Sequence, residues 1–85
     1  MQLRVAEGVL IHEEDGEAFL LHSGTGKYFG LNRSGITIWR ALEAGIDPVE
    51  ALGQRWPNVP IEDLQRDTEA LINHLLAAEL VVQTA

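Results

Sequence analysis

Gly24-Thr25-Gly26-Lys27-Tyr28-Phe29-Gly30-Leu31-Asn32-Arg33-Ser34-Gly35-Ile36-Thr37-Ile38-Trp39 is the stretch whose reading decides the fold. It divides into a tight turn, a short aromatic strand and the first turns of a helix. Gly24 and Gly26 are expected to supply the positive φ of a hairpin turn, because glycine has no Cβ to clash there. Lys27 to Leu31 is aromatic and apolar, which favours a pleated segment. Asn32 is placed to cap a helix, and Ile36, Trp39 and Leu42 follow at helical spacing. A strand that runs straight into a helix, with a hairpin before it, is expected at a sheet edge. Its unpaired backbone groups can then take another chain.

Working back from that stretch, Asp15-Gly16 is a strong hairpin signal between Val9-Leu10-Ile11 and Glu17-Ala18-Phe19-Leu20-Leu21-His22. With Lys27–Leu31 as the third strand, the result is an antiparallel meander with its first and third strands at the edges. Residues 1–7 are mixed and fit an extended lead-in or a frayed terminus. Working forward, the first helix spans about Arg33 to Ala44 and stops at Gly45. Asp47-Pro48-Val49-Glu50 is a helix start, with Asp as cap and Pro at the first position. Val49, Leu52 and Trp56 form the apolar stripe of this second helix, and Pro57 to Pro60 break it. The third and longest helix opens at Pro60 or Ile61 and is expected to reach about Leu80. Its stripe is Ile61, Leu64, Thr68, Leu71, Ile72, Leu75 and Leu76, with Asp67 and His74 on one flank. Val81-Val82 is a candidate extended tail on the sheet. The plan is α+β, winged helix-turn-helix-like: a three-stranded meander followed by three helices.

Composition narrows the function. Eighty-five residues, 46% of them hydrophobic, are expected to make a single domain over 1–85 with one core. There is no cysteine, so disulfides and thiolate metal sites are excluded. No apolar run approaches the roughly 20 residues of a membrane span, and the first residues lack a signal-peptide pattern. The cytoplasm is the expected location, without membrane contact. Thirteen acids against six bases give a net charge of −7, which opposes nucleic-acid binding and favours neutral or basic peptides.

Gly26-x-Tyr28-Phe29-x-Leu31-Asn32-x-x-Gly35-x-x-Ile38-Trp39 resembles the signature of the PqqD-like family, and the similarity runs from about Val9 to Val82. These are small leader-peptide recognition domains used in making ribosomally synthesised, post-translationally modified peptides. A domain of this size standing alone most resembles the leader-binding proteins of lasso-peptide pathways. The resemblance implies a winged-helix-like fold, no catalytic residues and no cofactor. It implies a precursor peptide as partner, together with a separate processing enzyme, in lasso pathways a cysteine leader peptidase. A PqqD-type role beside a radical SAM enzyme is the nearest alternative. An acidic winged-helix interaction domain without a leader role is the next.

In the family, the leader lies between the third strand and the third helix. Carried onto this sequence, that gives Lys27, Tyr28, Phe29, Gly30 and Leu31 on the strand side, within the matched motif. Leu64, Asp67, Thr68, Leu71, His74 and Leu75 are the helix-side choices, taken from helical position alone.

Other chemistry finds little support. His12 and His22 are candidate neighbours across the first hairpin, with Glu13 and Glu14 beside them, but solvated strand residues are the better reading than a metal site. Gly24-Thr25-Gly26-Lys27 departs from a phosphate loop at Leu21, where the first glycine belongs, and at Tyr28, where Ser or Thr would hold magnesium. Ser23 and Ser34 have no local base. The third helix carries Glu62, Asp63, Asp67 and Glu69 against Arg66 alone, the wrong sign for a DNA-recognition helix.

Overall fold

In the computed structural model, which describes residues 2–84, the elements follow in the order β1 (Gln2–Val5), β2 (Val9–Glu14), β3 (Glu17–His22), β4 (Tyr28–Leu31), α1 (Arg33–Ala44), α2 (Pro48–Arg55), α3 (Ile61–Ala77) and β5 (Val81–Thr84). The expected meander is the β2–β3–β4 sheet, antiparallel throughout, with β2 and β4 at its edges.

Two turns set its register. Asp15 and Gly16 both lie at left-handed φ, 55° and 80°, as a two-residue hairpin turn that matches strand twist requires. The second turn differs from expectation. Gly26 has positive φ (76°) and its N–H bonds the His22 carbonyl at 2.8 Å, but Gly24 does not share that conformation. Gly24 is instead needed for space. Its N–H donates to His22 Nδ1 at 3.0 Å, and a Cβ on it would sit 3.0 Å from the same ring.

The helices begin and end where side-chain chemistry dictates. Asn32 Oδ1 accepts the Gly35 N–H and the Ser34 hydroxyl, both at 2.9 Å, which caps α1. Gly45 closes α1 in the left-handed conformation, and Asp47 caps α2 by accepting the Val49 N–H at 2.9 Å. α3 stops at Ala77 rather than near Leu80. Leu80 N–H returns to the Leu75 carbonyl and Glu79 N–H to that of Leu76, with Glu79 at φ 62°. This is the helix-ending turn that glycine usually makes, here built on a glutamate.

Residues 2–5 and 81–84 form a second, two-stranded antiparallel sheet, β1–β5. The mixed amino-terminal segment is therefore a strand, and its partner is the carboxy-terminal tail, which does not extend the larger sheet. Ala18, Leu20, Leu31, Trp39, Leu75, Leu80 and Val81 make the main core. Ile38, Leu52 and Leu64 make a second cluster, with Trp56 packed against it. Leu42 and Leu71 touch both clusters, so the sheet, α1, α2 and α3 are packed as one body. Ile61, expected on the apolar stripe of α3, is exposed at its first turn. No helix among the described residues is long and apolar enough to cross a membrane.

Candidate functional site

The hydrogen-bond phase of β4 fixes what its outer edge offers. His22 N–H donates to the Lys27 carbonyl at 2.8 Å, so residues 22 and 27 form a bonded pair. Bonded and non-bonded pairs alternate along an antiparallel ladder, so Phe29 and Leu31 also turn their N–H and C=O groups toward β3. Tyr28 and Gly30 therefore turn theirs the other way, and among the described residues no strand lies on that side. Two donors and two acceptors stand ready for a further strand.

Side chains alternate with the same period. Phe29 and Leu31 face the core side, Leu31 buried and Phe29 half-buried, whereas Tyr28 is 73% exposed on the opposite face of the sheet. The structure thus separates two residues that the sequence reading grouped together. Phe29 looks toward α3, where its ring centroid lies 6.3 Å from that of His74. Tyr28 looks away from α3.

Beyond the edge, β4, α1, the α2–α3 turn and α3 enclose a cleft of about 620 Å3. Leu31, Ile38, Leu52, Leu64 and Leu71 give it an apolar lining, and Gly30, Asp67 and Ala70 lie along its mouth. Asp67 is its one charged residue and has no hydrogen bond or ion pair among the described residues. Gly35 brings α1 close to the strand, since a Cβ there would meet Leu31 Cδ2 at 3.0 Å. That close approach accounts for the glycine of the Asn32-x-x-Gly35 pattern. At the far end of β4, Lys27 Nζ pairs with Glu79 at 3.2 Å, bridging the strand start to the turn after α3.

The sequence-derived residues fall into three groups. Gly30, Leu31, Leu64, Asp67 and Leu71 line the cleft. Lys27, Phe29 and His74 lie outside that lining, Phe29 facing His74 and Lys27 paired with Glu79. Thr68 and Leu75 are buried, and Tyr28 lies on the outer face. Ile38, Leu52, Trp56, Val59 and Ala70 also line the cleft and were missed. The Pro57–Pro60 break was the available signal, because it folds the end of α2 back over the start of α3. Arg55 stacks on Trp56 with its guanidinium carbon 5.1 Å from the ring centroid, holding one wall.

Elsewhere, His12 and His22 are not cross-strand neighbours: His12 pairs with Phe19, and His22 with Val9. Among the described residues there is no cluster of three His, Cys, Asp or Glu side chains able to hold a metal. On α3, Arg66 is occupied by Asp63 at 2.7 Å, leaving Glu62, Asp67 and Glu69 as a negative surface.

Comparison with known proteins gives the same fold. Residues 7–81 match the family described as Coenzyme PQQ synthesis protein D (PqqD). A solved structure described as TbiB1 in complex with the TbiA(beta) leader peptide is 32% identical, with a TM-score of 0.85 over 96% of this chain and 98% of that one. A lasso peptide synthetase B1 complexed with the leader peptide shares the fold at 23% identity, with a TM-score of 0.81 over 98% of this chain and 100% of that one. No curated protein matches. With 75 consecutive residues of 85 inside the family match, the chain belongs to the PqqD family.

Proposed function

We propose that this protein binds the leader segment of a ribosomally made precursor peptide as an added strand on β4 and presents it to a separate processing enzyme. The carrying observation is the free edge at Tyr28 and Gly30 beside an apolar cleft with a lone carboxylate at its mouth. Main-chain pairing supplies affinity without regard to sequence. Side chains that point into the cleft from alternate positions supply selectivity. The 32% identical structure, itself a leader-peptide complex, supports this reading.

The role is binding rather than catalysis. The cleft offers one carboxylate, no nucleophile with an adjacent base, and mostly apolar walls, with Asn32 and Ser34 engaged in capping α1. Presentation acts in trans, and a cysteine leader peptidase of a lasso-peptide pathway is the enzyme class that the likeness to a leader-peptide complex suggests. The cytoplasm, where precursor peptides are made, is the corresponding location.

Titration with the leader segment of the precursor peptide encoded beside the gene tests this. Binding is expected between nanomolar and micromolar Kd, roughly −12 to −8 kcal/mol. New amide protection is expected at Tyr28 and Gly30. Protection confined to the surface between α1 and α2 would overturn the strand-addition reading. A labelled DNA duplex should show no binding at physiological salt, because α3 presents acids and its one arginine is already paired. Submicromolar duplex binding that vanishes at high salt would replace the peptide reading with a DNA-binding one.

A further inference from the structure

The outer face of the β2–β3–β4 sheet has no role in a peptide site confined to the cleft, yet its side chains form ordered rows. Leu10, Leu21 and Tyr28 stand in one row across the strands, and His12, Phe19 and Gly30 in the next. The second row stops at the edge with no side chain. Phe19 is 56% exposed and borders that gap. A Cβ on Gly30 would lie 3.7 Å from Phe19 Cε1 and 3.9 Å from Cδ1, with no other side chain or backbone atom within 4 Å. Those are ordinary contact distances, and Gly30 does not have positive φ. Neither crowding nor backbone conformation calls for glycine here, although glycine weakens a strand.

We infer that Gly30 and the exposed face of Phe19 form a subsite for a bulky apolar side chain of the bound peptide, so that the peptide is read on both faces of the strand it adds. This rests on the strand-addition reading. Gly30 directs its N–H and C=O to the free edge, so an antiparallel strand sets one residue directly opposite it. Opposite residues share a face, which puts that residue's side chain in the His12–Phe19–Gly30 row. Gly30 has no side chain to block it, and a long or aromatic group can lie across the gap onto the Phe19 ring. A neighbouring strand filling an edge glycine with an aromatic contact is a known stabilising device of sheets. The occupant is apolar on the side where it meets the Phe19 ring and the exposed Leu21 and Tyr28 of the adjoining row, while Glu14 and Glu17 form the row on the other side. His12, the polar member of the row, lies on the far strand.

The test is an alanine scan of the same leader segment against the wild-type protein, Phe19→Ala and Gly30→Val, with thermal unfolding recorded for each. In the wild type, one position that does not face the cleft should lose about fivefold or more in affinity on becoming alanine. That penalty should shrink to about twofold or less in both variants, while the penalties at cleft-facing positions persist, as coupling confined to touching residues requires. Phe19 is a surface side chain, so Phe19→Ala decides the matter even if Gly30→Val fails to fold. An unchanged scan profile in Phe19→Ala, or a wild-type scan sensitive only at cleft-facing positions, overturns the inference and leaves strand addition standing. Failure of the leader to bind the wild type overturns both.

Discussion

β2 and β4 are the two edges of one sheet, and they differ in what they show to solvent. β2 ends in His12, Glu13 and Glu14, whereas Tyr28–Leu31 carries no charged residue. Glu13 is gripped from α1 by Arg40, whose Nε donates to Glu13 Oε1 at 3.1 Å. Those side-chain hydrogen bonds, to Glu13 first and Glu43 second, hold the Arg40 pKa above its ordinary value. Charge on an edge strand discourages pairing with another chain. β4 lacks that protection and stands beside a cleft instead. One edge carries charges that discourage a further strand and the other carries none, which is the asymmetry that the proposed strand addition on β4 requires.

The largest effect that separates the edges is on stability. Leu31 roots β4 in the main core at 4% exposure. Leu31→Ala should lower stability by about 2–5 kcal/mol, the usual cost of a buried leucine truncation, measured by urea unfolding. A loss below 1 kcal/mol would mean that β4 is held by its ladder rather than by its side chain, contrary to the packing described.

Proline is the sharper probe of which edge takes a strand. The N–H of Gly30 faces the free side of β4. The N–H of Glu13 faces the free side of β2, since residues 14 and 17 flank the two-residue turn and Ser23 N–H bonds the Gly8 carbonyl at 2.9 Å. Proline at either site removes no ladder bond and is of the kind edge strands tolerate. Gly30→Pro should weaken leader binding by about 1.5–3 kcal/mol, a lost main-chain bond plus the unpaired peptide carbonyl it leaves. Glu13→Pro should leave binding within about twofold, below 0.5 kcal/mol. Equal losses, measured by calorimetric titration, would erase the distinction between the edges.

Asp67 tests the cleft beside the open edge. Asp67→Ala should reduce affinity by about 1 kcal/mol or more, the mark of a consequential interface truncation, with the unfolding midpoint held because Asp67 is exposed and has no ion pair among the described residues. An unchanged Kd would show that the leader is read by apolar pockets and backbone alone.

Much of this contrast was legible in the chain before folding, because its causes are local. Asp15-Gly16, Asn32-x-x-Gly35 and Asp47-Pro48 each specify a turn or cap through their own side chains and backbone. The β1–β5 sheet was not legible, because Gln2–Val5 and Val81–Thr84 are four-residue strands at opposite ends of the sequence whose pairing has no local signal. The end of α3 was misplaced for the opposite reason: Glu79 takes a conformation in which glycine is expected, so the stop carries no mark. The outward direction of Tyr28 was recoverable. Period-two alternation with Leu31 and Phe29 inside puts Tyr28 and Gly30 outside, whereas carrying the family motif over as one block grouped Tyr28 with the residues of the cleft. On α3, position on the helix grouped exposed Asp67 and His74 with buried Thr68 and Leu75, since adjacent residues at the margin of an apolar stripe differ in burial only once their neighbours are placed.

The smallest expected effect belongs to the closed edge. Arg40 reaches both Glu13 on β2 and Glu43 on its own helix, but the groups are roughly half exposed, 50% for Arg40 and 43% for Glu13. Solvent screening at such a surface leaves an ion pair worth about 0–1 kcal/mol. Arg40→Ala should therefore lower stability by less than about 1 kcal/mol at low salt. The difference from wild type should shrink near 1 M salt, because solvent-exposed ion pairs are weakened by screening. Leader affinity should stay unchanged, because Glu13 and the cleft lie on opposite edges of the sheet. Unfolding curves at two salt concentrations, with one binding isotherm, are sufficient. A salt-independent loss above 2 kcal/mol would show that Arg40 fastens β2 to the core, and the charges on that edge would then serve stability more than defence against a further strand.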